Sequence, residues 1–211
     1  MENTATVENI LIPENTVGKQ SNFTHSVTLP AREEALDTFK RAYKRMLNPG
    51  IWHKLAGFAS AEFHLMGNKG AELRRLAQVG DYFKIDIPGP GPAAGDGYDW
   101  VKVMVIENKA NPSGEEEIVG MQLRPCQNPQ KAGKDTAHFF QGKASSTFLI
   151  VRKDNTVTAS YHGRNEVSNT STENALDNVR NSVVALGAAA GLSEAQWSAL
   201  IKAFPAPEIG G

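Results

Sequence analysis

A single cysteine in 211 residues excludes an internal disulfide and any cysteine-built zinc or redox centre, and it fits a reducing compartment. Cys126 is therefore expected as a small packed side chain. No run approaches the roughly 20 apolar residues that a membrane helix needs. The alanine-rich stretch 183–190 is short and flanked by polar residues, so no membrane span is expected. Charge of one sign is also missing. Lysine and arginine total 22 against 23 aspartate and glutamate, which leaves no field to draw the chain onto nucleic acid or an anionic membrane. Residues 1–20 lack the basic start, apolar centre and cleavage site of a secretion signal, which makes the cytoplasm the expected compartment. Paired-histidine zinc helices and calcium loops are absent, so neither metal nor cofactor is expected. The glycine-rich segment 89–95 fails as a phosphate loop because Pro90 and Pro92 remove amide donors and no helix follows. Gly191-Leu192-Ser193-Glu194-Ala195 lacks the last glycine of a nucleophile elbow and reads as a helix start.

What is present is an ordinary globular composition, 40% apolar and 21% charged, sufficient for one domain with its own core. Residues 1–20 carry no sustained period and read as a flexible tail, residues 21–205 as the domain, and residues 206–211 as a loose end. Phe23, His25, Val27 and Leu29 alternate with Thr24, Ser26 and Thr28, the period of a strand with one buried face. After Pro30 the period changes. Leu36, Phe39, Tyr43, Met46 and Leu47 form one helical stripe, with Lys40, Arg41, Lys44 and Arg45 on a face expected to be solvated and supported by an Asp37 to Arg41 pair. Five further strands are expected around residues 61–65, 83–87, 101–105, 119–123 and 148–150, and a hairpin at Lys153-Asp154-Asn155 leads into a seventh at 157–161. Residues 71–79 fit a helical turn slightly better than an extended arm. A long helix is expected over 176–190 behind a capping box at Thr170 to Glu173, and a short one carries Trp197, Leu200, Ile201 and Phe204.

The densest polar cluster is Tyr161-His162-Gly163-Arg164-Asn165-Glu166 at the end of the seventh strand. Histidine titrates near neutral pH and arginine binds oxyanions, so His162, Arg164 and Glu166, with His138 from the long loop 125–143, are the candidate catalytic residues. A hydrogen-bonded loop anchor accounts for the same residues. Trp100 beside Asp99 has the form of a cavity wall or of ordinary packing.

The order strand, helix with a short second helical turn, six strands and a long carboxyl-terminal helix resembles the START-like, helix-grip superfamily, which includes birch-pollen-type proteins and polyketide cyclases. The resemblance rests on residues 23–29 running into the 36–47 helix, on residues 49–55, and on the small-residue helix 176–190. It implies an α+β fold in which a curved seven-stranded antiparallel sheet wraps the long helix, here with an extra short helix at the end. It also implies an apolar cavity for a small hydrophobic molecule or lipid. Trp100, His138, His162, Arg164, Val183 and Gly187 are then the expected ligand contacts. The superfamily holds carriers and enzymes, so a cyclase, hydrolase or isomerase using His162 or His138 stands beside the binding reading. A third is a non-catalytic interaction module, which exposure of Trp197 and Phe204 favours and burial opposes. The oligomeric state stays open.

Overall fold

The computed structural model describes residues 2–57, 61–87, 95–131, 136–138, 140–169 and 192–207. In chain order they form α1 (Glu2–Leu11), β1 (Lys19–Thr28), α2 (Arg32–Met46), a 3-10 turn (Pro49–Ile51), α3 (Trp52–Ala56), β2 (Glu62–Met66), β3 (Tyr82–Asp86), β4 (Asp99–Lys109), β5 (Glu116–Pro125), β6 (Ser145–Lys153), β7 (Thr156–Glu166) and α4 (Leu192–Ala203). The seven strands make one open antiparallel sheet in the order β1-β7-β6-β5-β4-β3-β2. A seven-stranded antiparallel sheet with a helix near the carboxyl end is the α+β arrangement expected from the order of elements.

Strand alternation assigns the two faces. Phe148 pairs with Tyr161 across β6 and β7, and Tyr161 pairs in turn with Phe23 of β1. These residues point to the inner face with Met121, Val103, Phe83 and Phe63, all in the main core. Helix α2 lies over that face because its apolar stripe buries Ala35, Phe39, Ala42 and Met46, and Glu33 and Glu34 in its first turn suit the positive end of the helix dipole. At the centre Trp52 packs its ring 5.0 Å from Phe63, 5.6 Å from Phe83, 5.1 Å from Phe148 and 6.0 Å from Phe204. Its indole N–H, which burial would otherwise leave unsatisfied, donates to the Arg45 carbonyl at 2.9 Å.

The expected long helix over 176–190, with its capping box, lies outside the described residues. The short helix expected as an addition is itself packed on the inner face. Leu200, Ile201 and Phe204 of α4 are buried and Trp197 is half-buried, all in the main core. Large apolar side chains at the spacing i, i+3, i+4 and i+7 give the helix one continuous face to bury.

Three expectations are corrected. Residues 2–11, read as part of a flexible tail, are helical and docked on the outer face, where Val7 and Leu11 pack against Ile118 and Leu149. The Leu11 carbonyl accepts from Gln122 Nε2 at 2.7 Å and Thr147 Oγ1 at 2.8 Å, and any side chain at Gly120 would collide with the Leu11 methyls. One short apolar patch was too little to signal this helix, whose partner lies more than a hundred residues away. Residues 71–79 form an arm rather than a helical turn, because their polar groups bond outward: Leu73 N to Leu65 O at 2.8 Å, Ala77 N to Leu47 O at 2.8 Å, and both Arg75 Nη atoms to the Asp81 carboxylate. Finally, Arg41 and Arg45 do not serve a solvated face. They bond the backbone carbonyls of residues 203, 204, 206 and 207, so the described start of the expected loose end is held. Asp37 pairs with Lys40 instead, at 3.7 Å.

Candidate functional site

At the end of β7 the regular ladder with β1 breaks. Ser21 pairs with Gly163 but Lys19 pairs with Glu166, so β7 carries one more residue than β1 over this interval. The extra residue is absorbed at Asn165, which adopts a left-handed conformation with φ of 55°. Such a bulge re-aims the side chains that follow it. By simple alternation Glu166 would share the outer face with His162 and Arg164; after the bulge its carboxylate turns to the inner face.

There Glu166 Oε2 accepts from the Ser21 hydroxyl at 2.9 Å, and Oε1 from the Tyr161 hydroxyl at 3.4 Å. The Tyr161 hydroxyl also lies 3.2 Å from Ser146 Oγ. Gly163 makes the fold-back possible, since a side chain at that position would meet the Glu166 carboxylate. The Tyr161 ring stacks on Trp197 of α4 with centroids 4.9 Å apart and planes within 10°. Lys19 at the start of β1 bonds Glu194 in the first turn of α4 at 2.7 Å, holding that helix to the same rim. The result is a small polar group on the margin of an aromatic floor, with Phe23 and Trp197 each half-buried beside it.

Asparagine is the non-glycine residue best suited to left-handed backbone, and its side chain has a second use. Asn165 Oδ1 accepts from Thr16 N at 2.8 Å and Val17 N at 3.1 Å, and Nδ2 donates to Glu14 O at 3.1 Å. The bulge that aims Glu166 inward thereby also fastens the segment joining α1 to β1.

Burial raises the Glu166 carboxyl above its ordinary value, against the opposing pull of Ser21, Lys19, Tyr161 and Arg164. Burial, reinforced by the Glu166 charge, likewise pushes the Tyr161 phenol up. Both groups favour their neutral forms more than they would in water. A carboxyl whose folded value is raised contributes stability that is fully present below its unfolded value and lost as pH rises through the folded one. Glu166→Gln is therefore expected to flatten a decline in melting temperature across the mildly acidic range. Thermal melts of both proteins at stepped pH check this, and parallel curves would contradict it.

The other expected site residues lie elsewhere. His162 is on the outer face between Asn22 Oδ1, 3.0 Å from Nδ1, and Ser160 Oγ, 3.1 Å from Nε2. Burial, with Arg164 adding to it, lowers its pKa to about 4, so near neutral pH the ring is uncharged. Arg164, also on the outer face, donates to the carbonyls of Ser21 and Gly163 at 3.3 and 2.8 Å. Trp100 faces outward too, buried with Met66 and Ala137, its indole N–H on the Gly95 carbonyl at 3.2 Å. His138 belongs to the adjoining loop, where Nδ1 accepts from Phe140 N at 3.0 Å and its carbonyl from Asn169 Nδ2 at 3.0 Å. Val183 and Gly187 lie outside the described residues. The fold thus sets His162 beside Arg164 and Trp100 beside the His138 loop, and of the named candidates it brings Glu166 to the inner face. Tyr161, Ser21 and Ser146 were not expected there. Tyr161 was within reach, because it occupies the inward phase of the same strand as Val157 and Ala159.

Among the described residues no group of three or more histidine, cysteine, aspartate or glutamate side chains is arranged to hold a metal ion. No described helix is long and apolar enough to cross a membrane. Cys126 is half-buried as expected, and burial pushes its thiol up to about 12.

No family model and no curated protein matches the chain. Solved structures do. A hypothetical protein from Helicobacter pylori is 10% identical, covering 88% of this chain and 87% of its own, with a TM-score of 0.43. Major latex-like protein 151 from Panax ginseng is 10% identical over 82% of this chain and 98% of its own, TM-score 0.34. A truncated norcoclaurine synthase from Thalictrum flavum is 12% identical over 90% of this chain and 99% of its own, TM-score 0.32. The last two are helix-grip proteins. At such identities and TM-scores the likeness brings no ligand or activity to this chain.

Proposed function

We propose that the chain binds a small, largely apolar molecule carrying one hydrogen-bond-donating group, held between the inner face of the sheet and the carboxyl-terminal helix. The observation that carries this reading is the inward-turned Glu166 carboxylate at the margin of the aromatic floor. The apolar body of the ligand lies on Phe23 and Trp197, whose partial exposure leaves ring surface to cover, and its donor group reaches Glu166 beside the Tyr161 hydroxyl. An apolar wall with a few convergent polar groups is the usual composition of a small-molecule site. Burial of Phe204 and half-burial of Trp197 weigh against a protein-interaction surface on the last helix.

The test is native mass spectrometry of the freshly purified chain, followed by titration with a panel of apolar alcohols and their methylated analogues, the O-methyl ethers, which lack the donor. A stoichiometric adduct or saturable binding is expected. Glu166→Gln is expected to weaken it by about tenfold or more, the loss of one charge-assisted hydrogen bond, with the methylated analogues unaffected. Failure of every probe, or binding indifferent to both changes, would overturn the proposal. The raised Glu166 carboxyl also favours a second reading, proton transfer to or from the bound molecule. In that case Glu166→Gln abolishes turnover of a bound substrate while the adduct persists, and His162→Ala on the outer face leaves turnover intact.

A further inference from the structure

The two edges of the sheet are treated differently. Strand β2, at one edge, is five residues long and carries Glu62 and His64. The arm that follows it covers its free side through a bridge between Met66 and Glu72, with Leu73 N on Leu65 O and Gly67 N on Ala71 O. These are devices by which proteins blunt an edge. Strand β1, at the other edge, is paired with no described strand on its free side, and its one lysine, Lys19, stands at its first position in an ion pair with Glu194. The strand is ten residues long, and none of its residues is buried. From Gln20 to Leu29 it holds no lysine, arginine, aspartate, glutamate or proline. Among the described residues β7 is the one strand paired with it.

The direction of its free amides follows from one hydrogen bond. Leu29 N donates to Asn155 O at 2.9 Å, in the same register that pairs Thr28 with Thr156. Backbone groups alternate sides along a strand in an antiparallel ladder. Leu29, Val27, His25 and Phe23 therefore bond toward β7, and Thr28, Ser26, Thr24, Asn22 and Gln20 present N–H and C=O to the open edge.

We infer that β1 is a self-association edge, and that its partner is β1 of a second copy of this chain, antiparallel about a two-fold axis at Thr24. This register sets Thr24 against its own copy, Asn22 against Ser26, and Gln20 against Thr28, so every outward amide and carbonyl of the strand is used. Moving the axis to Phe23 would pair Thr28 with Gly18, which lies outside the strand in a left-handed conformation. Moving it to His25 would pair Gln20 with Pro30, which has no amide hydrogen. The side chains agree with the choice. The outer-face pairs are uncharged hydroxyl and amide groups that hydrogen-bond one another, and on the inner face Phe23 meets His25 and Ser21 meets Val27. A two-fold interface must be self-complementary, and outward positions 20, 22, 24, 26 and 28, which carry only hydroxyl and amide side chains, meet that requirement where a row bearing one sign of charge would repel its copy. The shared edge extends the sheet from one copy into the next; Ser21 and Phe23 of the Glu166 site lie on this strand, while the Glu166 carboxylate itself is on β7.

Sedimentation velocity of the full chain over a wide concentration range tests this. A reversible monomer–dimer equilibrium is expected, weakened about tenfold in Thr24→Lys, which sets two lysines face to face across the axis. Residue 24 is exposed, so the variant folds normally, and an unchanged circular dichroism melt confirms it. Thr24→Cys is expected to oxidise to a covalent dimer, because opposed residues in such a pair lie about 5.5 Å apart, within disulfide reach. Ser26→Cys is not, since in this register its copy is about 13 Å away. A chain that stays monomeric at every concentration, a dimer indifferent to Thr24→Lys, or cross-linking through position 26 in place of 24 would each overturn the inference.

Discussion

Arg152→Met is expected to destabilise the protein by about 3–5 kcal/mol, the cost of leaving one member of a buried ion pair alone. For a chain of this size that corresponds to a melting temperature lower by roughly 6–20 °C. Arg152 and Glu117 are 0% and 2% exposed and meet at 2.6 Å. The remaining guanidinium nitrogens are satisfied by carbonyls: Nη1 on Glu115 at 3.3 Å and Asp154 at 3.0 Å, Nη2 on Gly114 at 2.6 Å. One side chain thereby ties the β4–β5 connection to the β6–β7 hairpin, and Arg32 of α2 reaches the same Gly114 carbonyl at 2.7 Å. Methionine fills much of the space but leaves the Glu117 carboxylate in the interior with no partner. The informative control is the double variant Glu117→Leu/Arg152→Met, which removes both charges and is expected to recover most of the loss. Urea denaturation of the wild type, both single variants and the double variant measures this. A single variant within about 1 kcal/mol of wild type would show that the pair contributes no more than an exposed one.

The pattern of hydrophobic residues carried the sheet well, because each strand has a buried phase and a period of two is legible over five residues. It also carried the face of α2 and the packed stripe of α4. The features it missed share a physical cause. Arg152 sits on the inward phase of β6, where the alternation of Phe148 and Ile150 calls for an apolar residue, and its partner Glu117 lies 35 positions earlier. Pair formation at that separation leaves no local trace. Helix α1 has a weak stripe and is held by a surface, shaped by Gly120, that exists only after β5 and β6 have paired. The inward turn of Glu166 depends on one extra residue in a ladder, and a count of strand residues cannot show it. In sequence, Tyr161 through Glu166 read as one polar cluster at a rim; in space they divide between the two faces, with the histidine and arginine on one and the carboxylate on the other. The cluster was legible, and its division was not.

The basic face of α2 gives the same lesson in a form that one substitution tests. Four cations within six residues, 40, 41, 44 and 45, have the spacing of a solvated helix face, yet Arg45 Nη1 donates to the carbonyls of Ala203 at 2.9 Å, Phe204 at 3.1 Å and Ala206 at 2.6 Å, while Nη2 reaches Pro207 at 3.3 Å. Arg41 Nε adds a bond to Ala206 at 3.0 Å. The last turn of any helix leaves carbonyls without partners and carries partial negative charge, so a guanidinium there answers both needs at once. Arg45→Met is expected to cost about 2–4 kcal/mol, that of one or two charge-assisted bonds. Arg45→Lys is expected to fall between, since an ammonium supplies the charge without the planar fork. Because α4 brings Trp197 onto Tyr161, its loosening is expected to weaken the near-ultraviolet circular dichroism of the aromatic core before the sheet melts, and to expose α4 to limited proteolysis while β1 to β7 stay protected. Loss of stability with the aromatic signal and the protease pattern unchanged would mean that Arg45 stabilises α2 alone, and that the apolar face of α4 suffices to hold it on the sheet.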